Sequence, residues 1–212
     1  DPALAATMTR RVVDGLTDAG VDPTLKHFVG HGRPAGGRNR GPPTASLREM
    51  RDADLVPFRA GIDAGAPSVM AAYNTVDGVP CHANARLLTD LLRGEWGFEG
   101  TVVSDGRGVG MLADDYGVAA DRQAAGVTAL RAGIDVELPE IECFGHRLVA
   151  AVRTGLVEES VVEAVPPRHL RQKPPAGLLS EPASGPDLDL PAAALCTDAV
   201  RSQSMRAGPR SQ

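Results

Sequence analysis

The chain has 212 residues, of which 42% are apolar and 23% charged, and a formal net charge of −5, a composition typical of a globular protein with one substantial core. The acidic balance and the scattered arginines argue against a nucleic-acid partner, because neutralising phosphates needs a basic face. Three cysteines without a CxxC pair suggest neither a disulfide framework nor a zinc site, and no membrane-length apolar run or signal peptide is visible, so we expect a cytoplasmic protein without a membrane partner.

The first part of the chain predicts a helix and a strand that lead into a long loop. The helix is predicted over 3–19, where four apolar residues recur at intervals of four, and the strand over 24–28. Residues 29–45 are rich in Gly, Pro and Arg, and a loop of this length is usually functional or disordered. Ser46 and Glu49 have the spacing of a capping box, which predicts a helix from there to about residue 64.

Strands and helices alternate through the following residues. Strands are predicted over 67–74, 97–105 and 132–139, helices over 84–95, 119–131 and 145–153, and a turn over 76–80. Because each strand is a continuous apolar run and helices separate the strands, the pattern predicts a parallel α/β architecture over residues 1–165. Prolines at 166, 167, 174 and 175 interrupt what would otherwise be a helix, so residues 166–212 are predicted to be a linker or tail.

Polar side chains collect at the ends of the predicted strands. They are Lys26 and His27, Tyr73 and Asn74, Ser104 and Asp105, and Asp135 and Glu137, and Met70 lies inside the second of these strands. Because chemistry in parallel β/α folds lies beyond the carboxyl ends of the strands, we expect them to share one rim. A carboxylate beside Lys, His and Tyr suits a polyhydroxyl substrate, and it can attack an anomeric carbon. Taken alone, Asp105 would fit a polar cap at the end of a strand better than a catalytic residue.

Other chemistries lack their sequence patterns. No glycine-rich phosphate fingerprint opens a helix after a strand, and no GxSxG or HExxH motif is present. His27 and His31 are four residues apart but lie in a Gly-rich segment rather than on a helix. We therefore expect neither a metal nor a cofactor.

Three segments carry a family resemblance: TLKHFVGHGRPAGGRN, PSVMAAYN through VVSD, and AGIDVELP. They resemble the N-terminal barrel of glycoside hydrolase family 3, and in particular actinobacterial β-glucosidases and β-xylosidases. The resemblance covers residues 1–165. It implies an α/β fold that is the C-terminal portion of a (β/α)8 TIM-type barrel. It also places residue 1 midway through that barrel and the Pro-rich tail on the way to a second domain.

The resemblance implies a role for each candidate site residue. Asp105 matches the nucleophile, which forms a covalent glycosyl intermediate with retention of configuration. Lys26 and His27 match a pair that hydrogen-bonds the terminal sugar, Tyr73 matches a tyrosine beside the nucleophile, and Met70 lines the same subsite. The implied activity is that of a retaining exo-β-glycosidase, β-glucosidase-like or β-xylosidase-like, acting on β-linked oligosaccharides or aryl glycosides.

The sequence also departs from the family pattern. Gly106 stands where an aromatic residue, often Trp, commonly follows the nucleophile and flanks the sugar. In most members the general acid/base is a Glu of the following domain. Some members instead use a His in a barrel loop, and His31 lies only loosely in the corresponding position.

Half a barrel has open sheet edges, from which we expect self-association. Two alternatives to the glycosidase remain open. One is a carbohydrate-binding remnant that keeps Lys26, His27 and Tyr73 without turnover. The other is an unrelated β/α barrel that acts on phosphorylated substrates.

Overall fold

A computed structural model describes residues 1–171 of the chain, and its centre is a parallel sheet. The strands are β1 (Thr24–Phe28), β2 (Ser68–Ala71) and β5 (Thr101–Val103), in the order β1-β2-β5. Val136 forms a single parallel bridge with Val103, so the strand predicted over 132–139 lies beside β5 as an isolated bridge. The predicted parallel α/β fold is confirmed.

A hairpin follows β2, and its turn lies within the turn predicted over 76–80. It consists of β3 (Thr75–Val76) and β4 (Val79–Pro80), which pair antiparallel. Asp77 and Gly78 between them both have positive φ, at 50° and 79°. An Asp-Gly pair with this geometry forms the two-residue turn that fits the twist of a hairpin.

Helices surround the sheet. They are α1 (Pro2–Asp18), α2 (Leu47–Asp52), α3 (Leu55–Asp63), a π-helix (Arg86–Glu95), α4 (Met111–Asp114), α5 (Arg122–Ala132), α6 (His146–Arg153), α7 (Glu159–Glu163) and α8 (Pro166–Leu170), with 3₁₀ turns at Ala35–Gly37 and Cys81–Ala83. Phe28 of β1 packs edge-on against Phe58 and Trp96, with ring centroids 5.1 and 6.1 Å away. No helix in the described part of the chain is both long and apolar enough to cross a membrane.

The single helix predicted over 46–64 is two helices. Its start is as predicted, because Ser46 and Glu49 form the reciprocal hydrogen bonds of a capping box. The break falls at Ala53, whose backbone is not helical. Pro57 explains the break, since it has no N–H to donate to the carbonyl of Ala53 four residues earlier.

Helix α1 packs against α3 through its Val13 side, which leaves another face uncovered. Thr9 of α1 approaches Gly61 of α3 so closely that a Cβ there would lie 3.0 Å from its methyl group. The apolar residues that predicted the helix are instead 37–62% exposed; they are Leu4, Met8, Val12 and Leu16, which we call the α1 stripe. Within residues 1–171, β1 pairs with a strand on one side only. Self-association through open edges stays a prediction.

The start of the predicted tail is helical. Pro166 and Pro167 occupy the first positions of α8, where the missing N–H groups would have no partner in any case. The two prolines do separate one helix, α7, from the next, but the residues after them begin a helix rather than the predicted linker. Arg168 of α8 reaches Asp135 at 3.0 Å and holds the helix against the domain. Residues 172–212, with Pro174 and Pro175, lie outside the described part, and the domain boundary at 165 stays a prediction.

Candidate active site

Asp105 follows β5 and keeps one side of its carboxylate accessible. Its backbone N–H donates to Nε2 of His82 at 3.0 Å, and its Oδ1 accepts the N–H of Gly106 at 2.7 Å. The preceding Ser104 is fully buried, and its hydroxyl accepts the N–H of Leu138 at 2.8 Å. The side chain of Asp105 is 16% exposed. The residue is thus fixed at its backbone and at one oxygen, while Oδ2 lies 3.5 Å from Nε2 of His27.

His27 of β1 contacts Oδ2 of Asp105. Its Nε2 lies 3.5 Å from that oxygen, and its ring centroid is 4.4 Å from that of His31. Burial lowers the pKa of His27, the Asp105 carboxylate opposes the shift, and the charges of His31 and Lys26 add to the lowering. His27 is therefore mainly neutral near pH 7, with one nitrogen free to donate and one to accept.

Tyr73, two residues beyond β2, also contacts Asp105. Its hydroxyl donates to the carbonyl of Gly106 at 2.8 Å. Burial raises the pKa of Tyr73, and the charge and hydrogen-bonding contact of Asp105 raise it further. The phenol stays protonated and remains a hydrogen-bond donor beside the carboxylate.

Lys26 and Met70 stand further from the carboxylate. Lys26 is exposed, and it lines a cavity of about 450 Å³ together with His27, His31 and Asp54. Among residues 1–171, the ion-pair partner of Asp105 is His27 and not Lys26. The positive charge expected in contact with Asp105 is therefore not supplied by this lysine. Met70 is partly exposed in β2 and pairs with Val103 of β5.

Asp135 does not share the rim of Asp105, contrary to the prediction. Its buried carboxylate contacts Nη2 of Arg93 at 2.5 Å, Nη1 of Arg168 at 3.0 Å and the N–H of Val102 at 2.8 Å. These partners lie on the π-helix, on α8 and in the middle of β5. The side chain therefore faces the surrounding helices rather than the rim.

Glu137 is also a structural carboxylate. It is 7% exposed, and its oxygens accept the backbone N–H groups of Cys143 and Phe144 at 2.8–3.0 Å. These bonds hold the loop before α6. The predicted rim thus contains the carboxylate of Asp105 without those of Asp135 and Glu137.

The structure adds side chains that the sequence pattern did not indicate. His82 is 1% exposed and contacts the Asp105 backbone. The guanidinium carbon of Arg40 lies 5.6 Å from the centre of the Tyr73 ring, and the Tyr116 hydroxyl donates to the Tyr73 carbonyl. The amide of Asn74 donates to the carbonyl of Gly41, so the Gly-rich loop forms one wall of the site. In the sequence, only the length and the Gly-rich composition of this loop indicated that it has a function.

Two further features define what the described residues can hold. Within residues 1–171, no group of three or more His, Cys, Asp or Glu side chains is arranged to hold a metal ion. A mainly apolar cavity of about 530 Å³ lies elsewhere, between α5, α6 and α7. The chemistry available at the site is therefore that of a carboxylate with neighbouring imidazole and phenol groups.

Comparison with known proteins identifies relatives over the described part. The family profile "Glycosyl hydrolase family 3 N terminal domain" matches residues 1–171. A β-xylosidase of Formosa agariphila is 40% identical over 173 residues, which are 77% of this chain and 23% of that protein. A β-hexosaminidase of Stenotrophomonas maltophilia is 38% identical over 195 residues, 88% of this chain and 52% of that protein.

A solved structure agrees with the sequence matches. The β-glucosidase from Listeria innocua, in complex with isofagomine, aligns with a TM-score of 0.88 and 29% identity, over 98% of this chain and 30% of that one. This similarity confirms the predicted barrel type, and the family match excludes the unrelated barrel acting on phosphorylated substrates. The chain spans only 23–52% of the lengths of these three proteins.

Proposed function

Because the chain belongs to glycosyl hydrolase family 3, we propose that it is the nucleophile-bearing domain of a retaining exo-β-glycosidase, with Asp105 as the nucleophile. The observation that carries the proposal is the state of its carboxylate. Oδ1 accepts the N–H of Gly106 at 2.7 Å, while Oδ2 lies 3.5 Å from Nε2 of His27 and the side chain is 16% exposed. Oδ2 is the oxygen that we assign to the attack on the substrate, because Oδ1 is already hydrogen-bonded by Gly106.

The reaction takes two steps. An oxygen of Asp105 forms a bond to the anomeric carbon while the glycosidic C–O bond breaks, and the leaving group takes the electron pair and a proton from an acid. A water oxygen then attacks the same carbon and gives its proton to a base. The bond to Asp105 breaks, which restores the carboxylate and releases the sugar with its original configuration.

The neighbouring side chains have the chemistry to bind the sugar. Neutral His27 offers a donor and an acceptor, and exposed Lys26 offers a cationic donor near His27. The Tyr73 oxygen offers an acceptor, because its O–H donates to the carbonyl of Gly106. Met70 supplies an apolar surface in the adjacent strand. Hydrogen bonds that strengthen as positive charge develops on the sugar would accelerate the first step.

The sugar class is proposed as β-glucoside, with β-xyloside as the alternative. The relatives include a β-glucosidase, a β-xylosidase and a β-hexosaminidase. A second candidate function is carbohydrate binding without turnover, which is favoured by Gly106, since its hydrogen side chain provides no stacking surface beside the nucleophile.

A mechanism-based label tests the nucleophile directly. The full chain is incubated with 2,4-dinitrophenyl 2-deoxy-2-fluoro-β-glucoside and, separately, with the xyloside, and the labelled peptide is mapped by mass spectrometry. Dinitrophenolate leaves without protonation, so labelling does not depend on the general acid. We expect a covalent sugar on Asp105, unchanged in the exposed control Asp63→Asn and absent in Asp105→Asn.

The possible results separate the two functions. A label on Asp135 or Glu137 would overturn the assignment of the nucleophile. An unlabelled protein that binds glucose in calorimetry would establish the carbohydrate-binding alternative. The ratio of glucoside to xyloside labelling rates gives the sugar preference.

A further inference from the structure

His82 is a fully buried histidine in direct contact with the backbone of Asp105. It lies in the 3₁₀ turn Cys81–Ala83, after the hairpin of β3 and β4, and is 1% exposed. Its Nε2 accepts the N–H of Asp105 at 3.0 Å. The contact joins residues 23 positions apart at the point where β5 ends.

The space around the ring is shaped to hold it in place. A Cβ at Gly108 would lie 2.3 Å from Nε2, 2.4 Å from Cε1 and 2.9 Å from Cδ2 of His82. Only glycine fits this position with the ring as it stands. The Tyr73 ring lies on another side, with its centroid 6.4 Å away.

The hydrogen bond requires a neutral ring protonated on Nδ1. Burial lowers the pKa of His82 to about 4, against the opposing charge of Asp105, so the ring is neutral at pH 7. In the cationic ring, Nε2–H would point at another N–H and could not accept from it.

We propose that His82 is a positioning residue for the nucleophile, which fixes the Asp105 backbone so that Oδ2 keeps its place beside His27. The inference rests on the proposed function. The N–H of Asp105 donates to Nε2 of His82, and the N–H of Gly106 donates to Oδ1 of Asp105. Together they set the direction of the Cα–Cβ bond and the rotation of the carboxylate. Small displacements of a reacting group cost large factors in rate.

Three substitutions separate positioning from simple core filling. His82→Gln keeps an acceptor near the place of Nε2, whereas His82→Met has similar bulk and no strong acceptor. Gly108→Ala keeps the histidine but displaces its ring, because the new Cβ overlaps the ring atoms. Gly108→Ala therefore disturbs the hydrogen bond between the Asp105 N–H and His82 without changing His82 itself.

The first measurement is NMR of the full chain labelled with 15N-aspartate and 15N-histidine. In the wild type and His82→Gln, we expect a hydrogen-bonded Asp105 amide that exchanges slowly with solvent. In His82→Met and Gly108→Ala, we expect its exchange to be at least about tenfold faster. If a folded His82→Met leaves the exchange and chemical shift of the Asp105 amide unchanged, the proposal is overturned; if that variant does not fold, Gly108→Ala decides in the same way.

The second measurement is the rate of labelling by the fluoro-glucoside. We expect the maximal labelling rate to fall by about tenfold or more in His82→Met, with little change in the concentration for half-maximal rate, and to be largely rescued in His82→Gln. An equal loss in both variants would assign His82 to core packing. No labelling in the wild type would overturn the proposed function, whereas the Asp105 amide would still decide the positioning.

Discussion

Replacing one carboxylate at a time with its amide should separate the reactive carboxylate from the structural one. Asp105→Asn and Asp135→Asn are the same chemical change at two positions. The side chain of Asp135 is fully buried between Arg93 and Arg168, whereas that of Asp105 is 16% exposed and makes no contact with an arginine among the described ion pairs. We expect the first substitution to cost activity and the second to cost stability.

The expected loss in the free energy of unfolding depends on which partners of the carboxylate stay unpaired in each amide variant. In Asp135→Asn the amide oxygen still accepts the N–H of Val102, and Arg168, which is 31% exposed, can turn to solvent. Arg93 is only 12% exposed and is left without its counter-charge, at a cost of about 3 kcal/mol. In Asp105→Asn the amide oxygen still accepts the N–H of Gly106, so the cost is about 1 kcal/mol or less.

Urea unfolding of both variants measures the difference, with equal m-values as the condition for comparison. Adding Arg93→Met to Asp135→Asn should recover part of the loss, because it removes the unpaired cation. The reasoning fails if Asp105→Asn is the more destabilising of the two, since Asp105 would then be the structural cap of β5.

Three further predictions concern the same site and the domain surface. The free energy of unfolding of Gly106→Trp should lie within about 1 kcal/mol of that of the wild type. The φ of Gly106 is not positive, and a Cβ at this position would lie 3.4 Å from the Tyr73 hydroxyl. Calorimetry of this variant should show tighter glucose binding. Because the pKa of His82 is about 4 in the folded chain and near 6.5 unfolded, stability should fall as pH drops from about 6.5 to 4, by about 3 kcal/mol relative to His82→Gln in urea titrations. Met8→Lys in the α1 stripe should reduce concentration-dependent self-association in sedimentation velocity, and an unchanged distribution would exclude that surface.

The sequence was sufficient for the features that depend on local pattern. The apolar runs ending in Lys26-His27, near Tyr73 and in Asp105 predicted the strand ends, and the structure places His27 and Tyr73 beside Asp105. The capping box at Ser46 and the Asp-Gly turn followed from residue types alone.

Features that depend on contacts distant in sequence could not be predicted in this way. The position of His82 depends on a hairpin that returns the chain to the end of β5 and on the space left by Gly108. The direction of Asp135 depends on two arginines of separate helices, 42 and 33 residues away in sequence. The prolines of α8 were misinterpreted because a proline at the first turn of a helix and one in its interior look alike until the helix start is known.

Unused acceptor capacity distinguishes Asp105 from the other two carboxylates of the predicted rim. Both oxygens of Asp135 are engaged by arginines, and both oxygens of Glu137 by backbone N–H groups. Asp105 is held through its backbone and Oδ1, and His27 approaches Oδ2 only to 3.5 Å. A nucleophile has to be rigid and still have a free lone pair when substrate arrives. Fixing the residue through its backbone satisfies both requirements, which is why the contact with His82 matters for the chemistry of Oδ2.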